Sequence, residues 1–524
     1  MASTFFGLSI SYKGLQAAQT SITTSAHNLS NINTDGYTKQ STVLRAADSL
    51  RTFSTYGTIG SGVDVIEIKQ TRDSYYDQKY RNNMSNYGQY ESKNNYMTQI
   101  EDYLNEFILD GFSKEYSNFY SAVNQLTITP ADESAKNQLI NNAKSMTDYF
   151  NTLATNLRNV QSDANNEIKD TIDHINTLAQ NITALNKQIN QLEACYGDAN
   201  DLRDQRNALV DDLAKYVNIT TSEEPIANGL TSFQITINGQ SLVHNYDYKE
   251  LKVVARETPR NESDAAGLYD VQWNDGNTFD IYSTSLGGQL KALVDIRDGC
   301  NGEIESLATN ADGSYKLDND GNIITETNPK ADSNVNYKGI PYYQSQLNQF
   351  IQTFSQAVND ILKSGYVSDA TTEADVNKGI PLFVVGDSSG KLTASTVSVN
   401  SELLKDANRL ATKTSVSDGE GNASIMEQLN ALQSKRIFDG GTGAYFLETM
   451  VSDMSIDASK AKTFLSNYNN MKTTIQNQRL SVMGVDVDEE AMDIMKFQQA
   501  YNLNSKMMSV MNEIYDKLIN QTGL

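Results

Sequence analysis

A chain of 524 residues that is only 39% hydrophobic, with a formal charge of −23 and a mean hydropathy of −0.50, is long enough for several domains but too polar for one thick core. The acidic balance, 65 acidic against 42 basic residues with no basic cluster, excludes nucleic acid as an expected partner. Six prolines, one tryptophan and 28 tyrosines fit thin, helix-rich domains with extended polar surfaces, and no run approaches the ~20 apolar residues of a membrane span.

The N-terminus lacks a basic region followed by an apolar core and cleavage site, so no cleaved secretory signal is expected. It instead opens on a helical pattern: Leu8, Tyr12, Leu15, Gln19, Ile22, Ala26 and Leu29 step by four and three. From His27 to Tyr37 the run of asparagines and Asp35-Gly36 should end that helix and turn the chain. Gly57, Gly60 and Gly62 punctuate an extended region before a strand at 63–68; with no lysine of a phosphate loop after them, they are turn glycines.

The segment from Leu15 to Gln40 resembles the N-terminal signature of the flagellar axial family, the rod, hook and hook-associated proteins. Gly62-Val63-Asp64-Val65 and Arg72-Asp73 are similar to the segment that follows it. Leu29, Ser30 and Ile32 stand where Ile, Ala and Ala or Val are usual, and Thr38-Lys39 where Ser-Arg is usual.

Residues 131–196 contain no Gly or Pro. Leu139, Ala143, Met146, Phe150, Leu153, Leu157 and Val160 hold a heptad that Ile168, Ile172, Ile175, Ala179, Ile182 and Ile189 resume, predicting a helical rod of up to ~100 Å. Leu202, Leu209 and Leu213 predict a returning helix to about Tyr216. Alternation at Phe233, Ile235 and Ile237, the Asn238-Gly239 turn and strands at 251–254 and 269–273 predict a small β domain over 223–283. Helix returns from Leu286 to Arg297-Asp298. A loop or β excursion is expected near 300–340, then helices at 347–362, 403–411 and 425–432.

A second rod is expected over 444–483, with its seam at Leu447, Val451, Met454, Ala458, Ala461, Leu465, Tyr468, Lys472, Ile475, Arg479 and Val482. Gly484 separates it from a terminal helix capped by Asp488, whose seam is Ile494, Phe497, Tyr501, Asn504, Met508, Met511, Tyr515 and Leu518. Ala500, Met507 and Ile514 add a second stripe, and Leu503 and Val510 another. One partner helix cannot cover so many faces, so copies should pack side by side.

The fold class expected is therefore mainly α with inserted β, with coiled-coil-like rods formed from both ends of the chain. Antiparallel pairing of the end helices would set Leu8 near Leu518 and Leu29 near Ile494. The domains expected are a terminal coiled-coil core (1–65 and 484–524), a long-helix rod domain (66–222 and 284–483) and a β-rich outer domain (223–283). Residues 286–290, Arg297-Asp298, Gly365-Tyr366 and 484–501 narrow the resemblance to the hook-associated branch of the family.

That resemblance implies a structural junction layer connecting the distal end of the hook to the next junction protein and the filament. Its partners would be identical copies in a ring, the hook protein, a second hook-associated junction protein and an export chaperone. The chain would be exported unfolded through the flagellar type III apparatus to an extracellular place on the flagellum. The assembly interface would use Leu8, Tyr12, Leu15, Ile22, Leu29, Ile494, Phe497, Tyr501, Met508, Met511, Tyr515 and Leu518. Met507, Val510, Met511 and Ile514 would be the chaperone's handle. A hook or distal rod protein is the alternative in the same class, though the two long rods argue against it. An outer β domain acting as an adhesin or ligand-binding module is the alternative of another class.

Catalytic and metal motifs are absent from the sequence. His27, His174 and His244 are out of short-range reach of one another, and there is no HExxH, P-loop or GxSxG. Asp318, Asp320 and Gly321 lack the spacing and closing glutamate of a calcium loop. Cys195 and Cys300 are too few for a disulfide framework, and one bridge between them stays open. No enzyme activity, cofactor or membrane insertion is expected; an inserted enzyme domain would have to fit in 223–283 or 300–340.

Overall fold

The computed structural model describes residues 6–51, 57–105, 111, 113–195, 197–226, 230–301, 305–307, 325–327, 335–374, 377–387, 390–438 and 441–521. The chain is mainly α, 61% helical, with small inserted sheets. Its helices are α1 (Phe6–Ser30), α2 (Ser74–Asn105), α3 (Ser113–Ile128), α4 (Glu133–Glu193), α5 (Asn200–Tyr216), α6 (Gly288–Asp298), α7 (Ile340–Lys363), α8 (Ser401–Lys405), α9 (Ser424–Leu432), α10 (Gly443–Met483) and α11 (Val487–Asn520). Two compact units result, one of Met1–Tyr87, His174–Glu250 and Tyr468–Leu524, the other of Gly88–Asp173 and Leu251–Asn467. Helices α2, α4 and α10 give residues to both.

In the first unit α1 and α11 lie antiparallel, and α1 also packs on a hairpin of Gln40–Ala46 with Val63–Gln70. A four-stranded antiparallel sheet follows α5, with Thr220–Pro225, Thr231–Ile237, Gln240–His244 and Asp247–Tyr248 in order. Phe233, Ile235 and Ile237 are buried on one face, as their alternation predicts. Asn238 and Gly239 both take positive φ (50° and 76°), which a two-residue hairpin turn requires.

The second unit gathers aromatic rings. Phe350 on α7 stacks on Phe150 of α4 at 5.4 Å and on Phe438 at 5.2 Å, and Phe119 of α3 meets Phe354 at 5.9 Å. A hairpin of Leu251–Ala255 with Tyr269–Trp273 belongs to this unit.

The long rods form where their patterns place them. All thirteen seam positions of α4 from Leu139 to Ile189 are buried. The α10 seam is buried from Leu447 to Ala461 and again at Ile475 and Arg479, but it ends on buried Met483, with Val482 exposed. Lys472 and Arg479 hold their seam places through rings and charges: Lys472 Nζ sits 4.4 Å above the Tyr87 ring, and Arg479 pairs with Asp77 and Asp211.

Other elements depart from expectation. The helix expected at 403–411 breaks into α8, a 3₁₀ turn at Ala407–Arg409 and a strand at Ala411–Lys413, because Asn400 and Asp406 each cap a new start only six residues apart. The cap of α11 is Asp486, whose carboxylate accepts from the Asp488 and Glu489 N–H groups, in place of Asp488. In the 300–340 stretch Glu305–Leu307 pairs with Thr325–Thr327; Asp318, Asp320 and Gly321 lie outside the described residues, as do Tyr196 and Gly229. No disulfide joins the two cysteines; Cys195 is exposed and Cys300 buried.

Candidate assembly surface

On α1 a row of small residues, Gly7, Ser11, Gly14, Ala18, Ser21, Ser25 and Asn28, keeps steps of four and three. A Cβ on Gly7 would lie 3.1 Å from Met511 Sδ, and one on Gly14 would lie 2.7 Å from Asn504 Oδ1. Asn28 bonds to Glu490 at 3.0 Å. These three contacts set the register: position 7 faces 511, 14 faces 504 and 28 faces 490. The expected pairing of Leu8 with Leu518 and Leu29 with Ile494 has the correct sense but is displaced along the helices by more than a turn. The small row lets the bulky seam of α11 come close.

The large apolar row of α1 therefore points elsewhere. Tyr12 is 53% exposed and Leu29 is exposed, while Leu8, Leu15 and Ile22 are half-buried. On α11, Ile494, Phe497, Tyr501, Met508, Met511 and Tyr515 are half-buried, and Leu518 is exposed. Leu503, Met507, Val510 and Ile514 join into one exposed apolar row, Leu503 at 69%. The extra stripes predicted for α11 thus merge into a second heptad seam with solvent in front of it. Met511, placed by the sequence both on the assembly seam and in the chaperone handle, faces Gly7.

The turn after α1 is locked by polar contacts that hydropathy does not reveal. Asn28 is 1% exposed and uses all four of its hydrogen-bonding capacities: Nδ2 donates to Gln40 O (2.8 Å) and Glu490 Oε1 (3.0 Å), and Oδ1 accepts from the Tyr37 hydroxyl (2.7 Å) and Gln40 N–H (3.0 Å). Burial, then Asp201, Asp204 and Glu490, push the Tyr37 hydroxyl well above the usual phenol range, so it remains a donor. Lys39 N–H donates to Met483 O at 2.8 Å, and its ammonium reaches Glu489 at 2.7 Å and Glu490 at 3.4 Å. Burial opposes that charge, but the Glu489 hydrogen bond and Glu490 together raise the ammonium's pKa.

Behind the turn stands a ladder of alternating charge. Asp204 accepts from Thr38 N–H (2.9 Å) and from Arg72 (3.0 Å); Arg72 grips Asp77 (2.7 Å); Arg479 bridges Asp77 (2.7 Å) and Asp211 (2.6 Å); Arg81 closes on Asp211 (2.7 Å). Three guanidiniums meet three carboxylates, which is the compensation such burial demands. Burial pushes the Asp204 carboxyl up, against the pull of Thr38 and Arg72. Arg72 thus proves to be a strut between the turn and α2 and α5. His27 lies at the rim, Nε2 3.3 Å from Asp201 Oδ1.

The cleft beside this turn, about 830 Å³, is lined by residues such as Asp35, Tyr80, Met84, Asp212, Leu480 and Met483, with no histidine, cysteine, serine or lysine. Among the described residues no group of three or more His, Cys, Asp or Glu is placed to hold a metal, and no helix is long and apolar enough to cross a membrane.

Paired terminal helices, long helical rods and exposed heptad rows define a structural axial protein. The model of the flagellar hook-associated protein FlgK helical domain matches residues 97–383, more than half of the chain, and that of the flagellar basal body rod FlgEFG protein C-terminal region matches 476–521. The chain belongs to the flagellar hook-associated FlgK family. It is 26% identical over its full length to flagellar hook-associated protein 1 of Bacillus subtilis (strain 168), covering 99% of that protein. It is 25% identical, over 97% of its length, to that of Escherichia coli (strain K12), covering 98%. The flagellar hook junction protein FlgK from Burkholderia pseudomallei shares its fold, with a TM-score of 0.59 at 12% identity, over 77% of this chain and 100% of that one.

Proposed function

We propose that this chain forms the layer joining the distal end of the hook to the next junction protein and, through it, to the filament. The observation that carries the proposal is the exposed heptad row Leu503, Met507, Val510 and Ile514 on a helix already paired along another face. Copies arranged in a ring would bury such rows against one another, Leu8, Tyr12, Leu15, Ile22 and Leu29 of α1 joining them. In this reading the work of the protein is geometric.

In this reading residues 1–65 and 484–524 form the inner core, 66–222 and 284–483 the shell of long helices, and 223–283 the part turned to the medium. Export runs through the flagellar type III apparatus, with α1 and α11 ordering on docking. A chaperone that holds the chain before assembly takes Met507, Val510 and Ile514, together with Met511 while α1 is not yet paired. Tight chaperone binding by a chain lacking residues 489–524 would sink that handle.

Electron microscopy of a strain without this gene, with flagellin assayed in the medium, tests the main proposal. Complete hooks without filaments and flagellin lost to the medium are expected. Absent or truncated hooks would instead make the chain a hook or rod component.

A further inference from the structure

In the second unit α4 and α7 enclose, with two loop residues, a cavity of about 10 Å³ in the space open to the centre of a water molecule. That is the room one water needs. Its wall includes Ala154 and Arg158 of α4, Gln344 and Asn348 of α7, and Ser263 and Ala394. Two groups on this wall are buried without a hydrogen-bond partner: the Nε–H of Arg158, a donor, and Oε1 of Gln344, an acceptor on a side chain only 4% exposed. A buried amide carbonyl left so carries an uncompensated desolvation penalty.

The neighbours do not relieve them. Asn348 is committed to the loops, its Nδ2 donating to Ser263 Oγ at 2.8 Å and its Oδ1 accepting from Ala394 N–H at 2.9 Å. The far end of Arg158 is turned to Ser395, with Nη2 3.5 Å from Oγ. The two groups match one molecule that accepts at one side and donates at the other. A cation is repelled by the guanidinium and an anion by the Gln344 carbonyl oxygen. Anything larger than water does not fit.

We infer that this cavity is a binding site for a single structural water, which accepts from Arg158 Nε–H and donates to Gln344 Oε1. Its second O–H is directed to Ser263 Oγ, whose other lone pair already takes the Asn348 bond. The three bonds are the usual number for a buried water. The water thereby ties the rod helix α4 to α7 and to the loop before the second unit's Tyr269–Trp273 strand, at a place where apolar packing is interrupted.

A crystal structure of the full chain that resolves ordered solvent tests the site, read with the melting midpoint of Gln344→Leu. The expected result is a solvent peak about 2.7–3.2 Å from both Arg158 Nε and Gln344 Oε1. The peak should vanish in Gln344→Leu, with the midpoint lowered by about 2–4 °C, since the variant leaves Arg158 Nε–H with no acceptor. A direct Arg158 to Gln344 bond without a solvent peak, or a Gln344→Leu variant with a raised midpoint, as expected of a dry cavity gaining apolar lining, overturns the inference. The wild-type map decides the matter even where the variant folds poorly.

Discussion

Asp298 illustrates how a residue noticed only as part of a motif acquires a physical role. Fully buried on α6, it accepts from Arg297 (2.5 Å), Arg256 (2.8 Å) and the Tyr282 hydroxyl (2.9 Å), while Arg297 itself donates to Asn165 Oδ1 and Tyr269 O. Burial alone would raise its carboxyl; the charge of Arg297 and the hydrogen bond from Arg256 override that and hold it well below the usual carboxylate range. A folded value below the unfolded one contributes stability that is complete above the unfolded pKa of about 4 and is lost as pH falls through the folded value. Asp298→Asn should therefore cost about 3 kcal/mol at pH 7, since two guanidiniums are left buried without their counter-charge. In urea unfolding the gap to wild type should narrow below about pH 4. A gap that stays constant down to pH 2.5 would show that the carboxylate is not linked to folding.

At the scale of elements, the α1 and α11 pair turns on residue size. The two stripes of α1 have the same period, so hydropathy selects the large one, while close approach to Asn504 and Met511 of α11 favours the small one. The register this creates is testable. With Cys195 and Cys300 replaced by serine, Gly14→Cys combined with Asn504→Cys should cross-link efficiently in assembled flagella, whereas Leu8→Cys with Leu518→Cys should not. The reverse pattern would restore the register read from the large stripes. Helix α2 escaped the hydropathy pattern for a different reason: tyrosines and asparagines dominate it, and many of its buried positions are polar, such as Asp77, Arg81, Asn83, Ser85, Ser92 and Lys93, while the apolar ones gather toward its C-terminal end at Tyr96, Met97, Ile100 and Leu104.

For the whole molecule, charge and assembly oppose each other. Copies carrying −23 each repel when they pack. In the proposed ring the attraction runs through rows such as Leu503 to Ile514, which are apolar, so added salt screens the repulsion and leaves the attraction intact. Self-association followed by light scattering or ultracentrifugation should strengthen between 20 and 200 mM NaCl, a range in which the Debye length falls from roughly 20 to below 10 Å. Weakening over that range would point to an interface held by ion pairs.

Much of this protein was legible in one dimension. Period and punctuation placed α4, α10, α11 and the Asn238-Gly239 hairpin, because a heptad or a left-handed turn is a local property that a few neighbouring residues dictate. The signature residues from Leu15 to Gln40 marked the family for the same reason. What only the tertiary structure decided was which face of a helix meets which partner. Asn28 with Glu490, and Arg72 with Asp204, are separated by 462 and 132 positions, and their fit depends on side-chain size and hydrogen-bond geometry. Those properties appear only once folding has brought distant segments into contact. The buried polar locks, and which apolar stripe of α11 stays exposed once α1 is paired, could therefore be assigned only in three dimensions.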